Sequence, residues 1–362
     1  MAIDSSPVMG HSDVPAALKK PKLDPGSGIL SLKDGVFTTT QASYPLKLLS
    51  PHAVGVRLAY MIAYGGGLVA GDHIHLDVDV DGVLVLLTQG STKVFRHQPG
   101  IRRPQSHLLH SIHHSPETVG KLEGDEARPL NTYTGGRYPA DLRVDEPEAP
   151  TSRQRMLVKV APGSTVFLLP DSISPFKDSR YIQSQRFVLS PGASCLVLDW
   201  VNSGRGRFEP APVLKDKIHV KDYVHVPTEA DEWWAMDYYA SINEVVIGDK
   251  VVARERMVLQ DQPGNSIKDR LLPYHVYATV LVYGPTMAKT RKLLDAIADN
   301  ESQFQIPRPP GLIWSWSVLD EHGGIIRLAA VHVEDIRDWL RSVLTQGGMA
   351  DVVGEGLWPR CL

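Results

Sequence analysis

The sequence predicts a mainly β fold with two α-helices late in the chain. Most of the chain consists of short segments that alternate polar and apolar residues or are apolar throughout, and both patterns are typical of strands. Helical spacing of apolar residues is confined to two late segments. Because strand-like and helical segments do not alternate, a doubly wound sheet built from βαβ units is not expected.

Four segments in the N-terminal third are predicted strands. "LKLLS" runs up to Pro51, and "AVGVRLAYMIAY" follows at 53–64. "HIHLDVDV" (73–80) alternates strictly, which predicts a strand with one buried face and one polar face. "VLVLLT" (83–88) is continuously apolar, which predicts a strand covered on both faces.

Strand patterns resume in the middle of the chain. Residues 155–171 contain two strands around the turn "APG", and "RYIQSQRFVL" and "SCLVLDWV" follow, separated by "SPGA". Residues 233–259 contain a hairpin whose turn is Gly248-Asp249. "HVYATVLVYG" is a further strand, and "LIWSWSVL" and "GGIIRLAAV" form a strand pair joined through "DEHGG".

The two predicted helices cover residues 286–299 and 332–344. The first follows Pro285, and in both segments the large apolar residues recur three or four positions apart. This spacing gives each helix one apolar face that packs against a sheet.

The remaining segments divide the chain into a single large domain with extensions. Residues 1–28, rich in Pro, Ser, Gly and Lys, are expected to form a disordered tail, and 29–345 a single β domain. Two stretches with little periodicity, about 98–152 and 205–230, are interpreted as inserted loops. Residues 346–362 are expected to be a C-terminal tail.

Composition limits the classes of function. The net charge of −3 over 362 residues argues against nucleic acid as the main partner. Only two cysteines are present, Cys195 and Cys361, and neither belongs to a CxxC pair, so a reducing, cytoplasmic location is expected. The sequence contains no run of about 18 apolar residues, so no membrane-spanning helix is predicted.

The glycine-rich segment "GGGLVAGD" (65–72) does not match a phosphate-binding loop. The residues after it alternate as a strand does, whereas a phosphate loop requires a helix N-terminus at that place. The glycines are therefore interpreted as permitting positive φ and a close approach of two chain segments. Asp72 is expected to cap this turn.

The strand that follows carries the first metal candidates. His73, His75, Asp77 and Asp79 share one face of it, and that face is either a solvent face or the wall of a path for a divalent ion. Asp171, directly after an apolar strand and a proline, either binds the backbone of its turn or stands at the mouth of such a passage. A further set of histidines belongs to a solvated loop or to a metal site: His97, His107, His110, His113 and His114.

Six segments in order carry a family resemblance: "GGGLVAGDHIHLDVDV", "LTQGSTKVFR", "LLPDSISPFKDSRYIQSQRF", "LVLDWVNSGR", "EWWAMDYYASINEVVIGDKVVARERM" and "GGIIRLAA". Over about residues 28–345 the chain resembles the UreD family of urease accessory proteins, called UreH in some lineages, in its eukaryotic form. It departs from the family in its two inserted loops, and at Ser172, where bacterial members have an acid; here the carboxylate is that of Asp171.

The resemblance implies a fold, partners and a cargo. Members have stacked or helically wound β-sheets, as in a β-sandwich or β-helix, and act as scaffold chaperones rather than enzymes. They bind UreF-type and UreG-type partners, the latter a GTPase, dock on apo-urease, and are proposed to pass nickel through an interior route. The implied cargo is transient nickel, with no nucleotide bound by this chain.

The resemblance also implies site residues. His73, His75, Asp77, Asp79 and Asp171 are candidates for transient nickel contact, and Trp358 for an exposed partner anchor; no residue is assigned to catalysis. The signature positions are Gly66, Gly67, Gly71, Asp72, Thr88, Gln89, Lys93, Arg96, Pro170, Gly204 and Arg205. Two other classes remain open: an enzyme with a pocket around Asp72, Lys93 and Arg96, and an interaction scaffold without metal contact.

Overall fold

The structure, a computed structural model, describes residues 23–51, 55–96, 150–206, 209–210, 223–224, 232–301 and 311–362. The five loop histidines between positions 97 and 114 lie outside these ranges, and so does most of each predicted insertion. The first described strand begins at Ser27 and so includes the last two residues of the segment expected to be a tail.

The strands, in chain order, are as follows. The first ten are β1 (Ser27–Lys33), β2 (Val36–Ala42), β3 (Leu46–Leu49), β4 (Arg57–Ala63), β5 (Gly67–Leu68), β6 (His73–Val80), β7 (Val83–Thr88), β8 (Thr92–Val94), β9 (Ser152–Val160) and β10 (Thr165–Leu168). The others are β11 (Ile173–Pro175), β12 (Arg180–Leu189), β13 (Ser194–Asn202), β14 (Glu209–Pro210), β15 (Tyr223–Val224), β16 (Tyr238–Ile247), β17 (Lys250–Leu259), β18 (Val276–Tyr283), β19 (Leu312–Asp320) and β20 (Gly323–Ala330).

Four helices occur in the described residues, all in the last third of the chain: α1 (Ile267–Leu271), α2 (Ala288–Asn300), α3 (Val333–Gln346) and α4 (Met349–Val353). The two helices predicted from periodicity are α2 and α3. The two that the sequence did not predict, α1 and α4, are five residues long, which is too short for a helical period to stand out. Within the described part of the chain, no helix is long and apolar enough to cross a membrane.

The chain winds back and forth between two sheets. One sheet has seven strands in the order β17-β16-β12-β9-β6-β1-β2, and the other has eleven, most of them in the order β19-β20-β18-β13-β10-β7-β4-β3. Successive strands such as β6 and β7, β9 and β10, and β12 and β13 belong to different sheets, and within each sheet these strands are parallel. The partner sheet replaces the usual crossover helix. The expectation of a mainly β, helically wound sandwich is confirmed.

The eleven-stranded sheet is the central layer. One of its faces packs on the seven-stranded sheet and the other on α2, α3 and α4, so the chain has two apolar cores. In β7, Leu84 and Leu86 belong to the first core, and Val85 and Leu87 to the second. The strand is thus covered on both faces, as its continuous apolar run predicts. Burying each such side chain contributes roughly 1.5–3 kcal/mol.

Strand β6 is covered on one face only. Its apolar residues Ile74, Leu76, Val78 and Val80 are at most 2% exposed and point into the first core. The alternate side chains, which include the two histidines, are exposed or half-buried on the outer face of the seven-stranded sheet. Strict alternation in the sequence therefore predicted both the strand and the direction of its polar face.

The C-terminal segment is a packed element rather than a tail. Met349, Val353, Trp358 and Cys361 are buried in the second core. The indole Nε1 of Trp358 donates a hydrogen bond to Thr345 Oγ1 at 2.7 Å, and the side chain is 3% exposed. The expectation of an exposed anchor at Trp358 is corrected: its large apolar ring fills the space beside α3.

Candidate functional site

The signature segments converge at one end of the central sheet. Strands β7, β10 and β13 are adjacent and parallel, so the loops that follow them leave the same edge. A short parallel ladder, β5–β8–β11–β13, continues from that edge and joins the glycine-rich segment to the other three motifs. Segments more than 100 residues apart in the sequence therefore form one surface.

The glycine segment builds a tight turn and a close contact. Gly66 and Gly71 have φ values of +75° and +84°, which favour glycine. The Asp72 carboxylate accepts a hydrogen bond from the Val69 amide at 2.8 Å, as expected of a capping residue. At Gly67 a Cβ atom would lie 2.4 Å from the carbonyl oxygen of Lys93, so only glycine permits the β5–β8 pairing. These contacts agree with a backbone role for the segment.

Asp171 connects this edge to α3. Its amide donates to Thr88 Oγ1 at 2.8 Å, and its carboxylate accepts from Arg337 Nη2 at 2.9 Å. The Arg337 guanidinium also lies 5.7 Å from the centre of the Trp200 ring, and the Trp200 indole donates to the carbonyl of Pro170 at 2.8 Å. A carboxylate neutralised by an arginine is a weak cation ligand. Gln89, at the tip of the turn after β7, is exposed.

Asn202 is a structural residue at this edge that the motif analysis did not single out. Its Nδ2 donates to Ser172 Oγ at 2.9 Å and to Ser174 Oγ, while its Oδ1 accepts from the Gly204 amide at 2.9 Å. Ser172 is 3% exposed and hydrogen-bonded, so it does not offer an open ligand where bacterial members have an acid. The signal was present, because Asn202 stands inside the quoted "DWVNSGR" motif.

An aromatic pair on the same surface has exposed cations close to it in the sequence and one in direct contact. The rings of Phe95 and Phe176 meet edge to face at 5.3 Å, and the Arg205 guanidinium lies 3.8 Å over the Phe176 ring. Lys93 and Arg96 are exposed on or directly after β8. Asp72 is held in its turn, and the surface cavity of about 410 Å³ that Tyr44 and Tyr64 line lies elsewhere.

The residues predicted to contact nickel do not form a single site. His73, His75, Asp77 and Asp79 lie on the outer face of the seven-stranded sheet, where His75 Nε2 is 3.1 Å from Asp77 Oδ1. Asp171 lies at the edge of the other sheet. Among the described residues, no three His, Cys, Asp or Glu side chains are grouped so that they could hold a metal ion.

A buried polar cluster lies between the two sheets. Its centre is Asp199 of β13, whose carboxylate accepts hydrogen bonds from Gln183 Nε2 at 2.9 Å, Asn243 Nδ2 at 2.5 Å and Ser241 Oγ. Burial raises the pKa of Asp199, while these three hydrogen bonds act in the opposite direction. The Tyr181 hydroxyl extends the network by donating to Gln183 Oε1 at 3.0 Å.

The cluster continues to the surface as a layer of polar side chains. Across the central sheet, Asp199 is opposite Thr279 and Thr279 opposite Arg327, while in the other sheet Asn243 is opposite Glu255. Arg327 donates to both carboxylate oxygens of Glu255, at 2.9 and 2.6 Å, and so bridges the two sheets. We call these residues the polar layer: Gln183, Gln185, Asp199, Ser241, Asn243, Glu255, Thr279 and Arg327.

Two oxygen atoms of the polar layer lack a hydrogen-bond donor. Gln185 Oε1 and Asn243 Oδ1 are buried and accept no hydrogen bond from any residue that the structure describes. The layer thus contains carboxylate and amide oxygens, which suit a labile divalent cation better than a tightly held one. Burial raises the pKa of Cys195 to about 12 and that of Cys361 to about 11, so both thiols are protonated at neutral pH in the metal-free protein.

Known proteins resemble this chain over most of its length. A profile of the UreD urease accessory protein family matches residues 31–211 and 227–358. Urease accessory protein 4 of Cryptococcus neoformans var. grubii is 41% identical over 97% of this chain and 99% of its own length. Urease accessory protein D of Oryza sativa subsp. indica is 26% identical over 83% of this chain and 84% of its own. The UreD protein of an Anaeromyxobacter species is 28% identical over 84% of this chain and 77% of its own length.

The similarity spans the described sheets and the helical layer. It includes the four segments that meet at the end of the central sheet where β7, β10 and β13 terminate, which we call the signature edge. This chain belongs to the UreD family of urease accessory proteins.

Proposed function

We propose that this chain is a non-catalytic cytoplasmic scaffold that binds apo-urease together with UreF-type and UreG-type partners and gives nickel a route toward the urease active site. Membership of the family supports the urease part of the proposal. The observation that carries the nickel part is the polar layer, which crosses an otherwise apolar interior from buried Asp199 to the Arg327–Glu255 pair at the surface.

The chemistry of the polar layer suits transfer better than storage. Carboxylate and amide oxygens bind Ni²⁺ more weakly than thiolates and exchange it readily. Asp199 provides a carboxylate, and Gln185 and Asn243 provide amide oxygens that accept no hydrogen bond from the described residues. The Glu255 carboxylate is paired with Arg327, so its contribution requires that ion pair to open. Each of these groups lies on a strand of fixed register, so the cation would move between donors that do not themselves have to move.

The residues expected from the sequence to contact nickel lie outside the polar layer and have other roles in this proposal. His73, His75, Asp77 and Asp79 are accessible on the outer face and remain candidates for weak capture of the ion outside the fold. Asp171 is tied to Arg337, so its contribution requires that ion pair to open. The glycine segment of this chain leads into a strand and not a helix, so it does not form a phosphate-binding loop. In this proposal the energy for the transfer comes from the GTPase partner.

Deletion of this chain in its native host tests the urease assignment. We expect loss of urease activity while the urease polypeptide is still made, and reduced nickel content in the purified urease. Normal urease activity without this chain would remove the proposal. Co-purification with UreF-type and UreG-type proteins tests the scaffold part, and nickel measured in that complex tests the route.

Residue exchanges separate the nickel route from a scaffold without metal contact. A triple variant, Asp77→Ala, Asp79→Ala and Asp171→Ala, removes the carboxylates expected from the sequence, and Asp199→Asn removes the carboxylate of the polar layer. If both variants assemble with the partners and activate urease normally, the chain is an interaction scaffold only. An enzyme around Asp72, Lys93 and Arg96 would instead require turnover of a small molecule that is lost in Lys93→Ala.

A further inference from the structure

Four exposed cations of the signature edge have no acidic partner. Lys93, Arg96, Lys177 and Arg205 are exposed, and none forms an ion pair within the part of the chain that the structure describes. Arg337 differs from these four, because the Asp171 carboxylate lies 2.9 Å from its guanidinium and neutralises its charge. Leaving charges of one sign together costs electrostatic energy in the free protein, so such a group is informative about what binds there.

Strand pairing brings these cations together. In the parallel β8–β11 ladder Lys93 is opposite Ser174 and Val94 opposite Pro175. Directly after this ladder the Phe176 amide donates to the Val94 carbonyl, and the rings of Phe95 and Phe176 meet at 5.3 Å. Arg96 and Lys177 are the residues that follow the two rings in the sequence.

The fourth cation reaches this place from another segment. Arg205 follows β13 and covers the Phe176 ring at 3.8 Å. Arg205 thus contacts one ring, and the other three cations lie within two residues of a ring in the sequence; we call Lys93, Arg96, Lys177 and Arg205 the cationic rim. Acids near the rim are fewer: Asp178 follows Lys177 and is exposed, and the Glu232 amide donates to the carbonyl of Arg205.

The positive charge of Lys93 and Arg96 indicates whether these residues line the nickel route or form a binding surface. A passage for Ni²⁺ cannot be lined by several uncompensated cations, because like charges repel strongly where water is scarce. The oxygen donors are instead in the polar layer, between the sheets. Lys93 and Arg96 therefore belong to a binding surface and not to the nickel route.

We infer that the cationic rim is the docking surface for an acidic segment of a protein partner, whose carboxylates pair with the rim while an apolar side chain packs on Phe95 and Phe176. Arginine and lysine recognise carboxylates through charge-assisted hydrogen bonds, and the aromatic pair adds apolar contact area. A nucleic acid fits less well, since it presents a phosphate about every 1.7 Å along a continuous track and the rim is a compact group beside exposed Asp178. The inference rests on the proposed function, which provides the protein partners.

Charge reversal of the rim in the full chain tests the inference. The variant carries Lys93→Glu, Arg96→Glu, Lys177→Glu and Arg205→Glu, and a second variant has glutamine at the same positions. The control reverses an equal number of exposed cations that lie away from the rim: Lys33, Lys250, Lys292 and Arg360. Circular dichroism and thermal denaturation of all proteins check that the fold is kept.

Affinity for purified UreF-type protein, UreG-type protein and apo-urease of the same organism is measured at low and high salt. We expect the reversal variant to bind one of them at least about tenfold more weakly than the control, with the glutamine variant between them. We also expect wild-type affinity to fall between roughly 0.05 and 0.5 M salt, while that of the reversal variant changes little.

Three results would overturn the inference. If the reversal variant binds every partner as the wild type does, the rim is not a docking surface, although the proposed function stands. If the wild type binds none of the three proteins, both proposals fail together. If the reversal instead abolishes binding of a 20-nucleotide single-stranded DNA or of inorganic phosphate and leaves partner binding unchanged, the rim binds phosphate groups and not protein carboxylates.

Discussion

Replacement of Asp199 by asparagine should change stability little and replacement by alanine should lower it, whereas both should reduce nickel transfer. The Asp199 carboxylate accepts three hydrogen bonds in the first core, from Gln183, Ser241 and Asn243. Asparagine keeps the shape of the side chain and one acceptor oxygen but adds an amide that faces the Asn243 donor. Because Asn243 Oδ1 accepts no hydrogen bond in the wild type, rotation of the Asn243 amide by 180° turns this clash into a hydrogen bond.

The magnitudes follow from the hydrogen bonds that each variant keeps. With the Asn243 amide rotated, Asp199→Asn retains an acceptor for its neighbours, and we expect a change in the free energy of unfolding of less than about 1 kcal/mol at neutral pH. Asp199→Ala leaves three buried donors without an acceptor. Each costs about 1–3 kcal/mol, and loss of the buried charge offsets part of the sum, so we expect a net destabilisation of roughly 2–4 kcal/mol.

The pH dependence of stability provides a second, independent test of the role of Asp199. Burial raises the pKa of Asp199, so its contribution to stability is fully present below the unfolded-state pKa and is lost as the pH rises through the folded-state pKa. Asp199→Asn has no such titration. We therefore expect the variant to gain stability relative to the wild type as the pH is raised from about 4 to 8.

Chemical denaturation at several pH values measures the stabilities, and activation of apo-urease in the assembled complex measures nickel transfer. Both variants should assemble with the partners, and both should deliver less nickel because the buried carboxylate is gone. An Asp199→Asn protein that activates urease at the wild-type rate would show that the polar layer is not the route. Equal destabilisation by asparagine and alanine would refute the hydrogen-bond argument.

Three further changes test the packing around the site. Trp358→Ala should cost about 3–5 kcal/mol in thermal denaturation because it empties part of the second core, whereas an exposed anchor would give almost no change. Gly67→Ala should destabilise by about 1–3 kcal/mol, since its Cβ would meet the Lys93 carbonyl at 2.4 Å; Gly356→Ala, with open space around it and no positive φ, is the matched comparison for steric effects. Truncation after Gln346 should lower the melting temperature by more than ten degrees by removing Met349 and Val353 from that core, and an unchanged melting temperature would contradict the packing.

The sequence predicts individual strands well where a local pattern determines burial. Strict alternation in β6 and the continuous apolar run in β7 both led to the observed strand and the observed covering of its faces. The short strands β5, β8 and β11 were not predicted, because two or three residues carry no period. They exist through pairing with segments that are distant in the sequence, and this pairing is what assembles the signature edge.

The polar layer was missed for a related reason. Asp199 lies within the apolar segment "SCLVLDWV", where a single carboxylate gives no indication of a partner. Its hydrogen-bond donors come from β12 and β16, and only the sheet register places Gln183 next to Ser241. By contrast, the histidine- and aspartate-rich strand was conspicuous in the sequence but faces solvent. A cluster of polar residues that is conspicuous in the sequence need not form a site, because only the topology of the fold brings distant side chains together.

The two proposals assign incompatible electrostatic tasks to different parts of this fold. A cation route requires oxygen donors and excludes positive charge, whereas docking of an acidic segment requires positive charge at the surface. In a sandwich of two wound sheets, inward-facing positions at one register form a continuous layer across neighbouring strands, as Gln185, Asn243 and Glu255 do. Arg96 and Arg205 follow β8 and β13, strands of the other sheet, and lie outside that layer. Charge reversal at the rim should therefore weaken assembly without altering the nickel chemistry of complexes that still form, and Asp199→Asn should do the reverse. If either variant produced both defects in complexes shown to be correctly folded, the route and the docking surface would have to be one site.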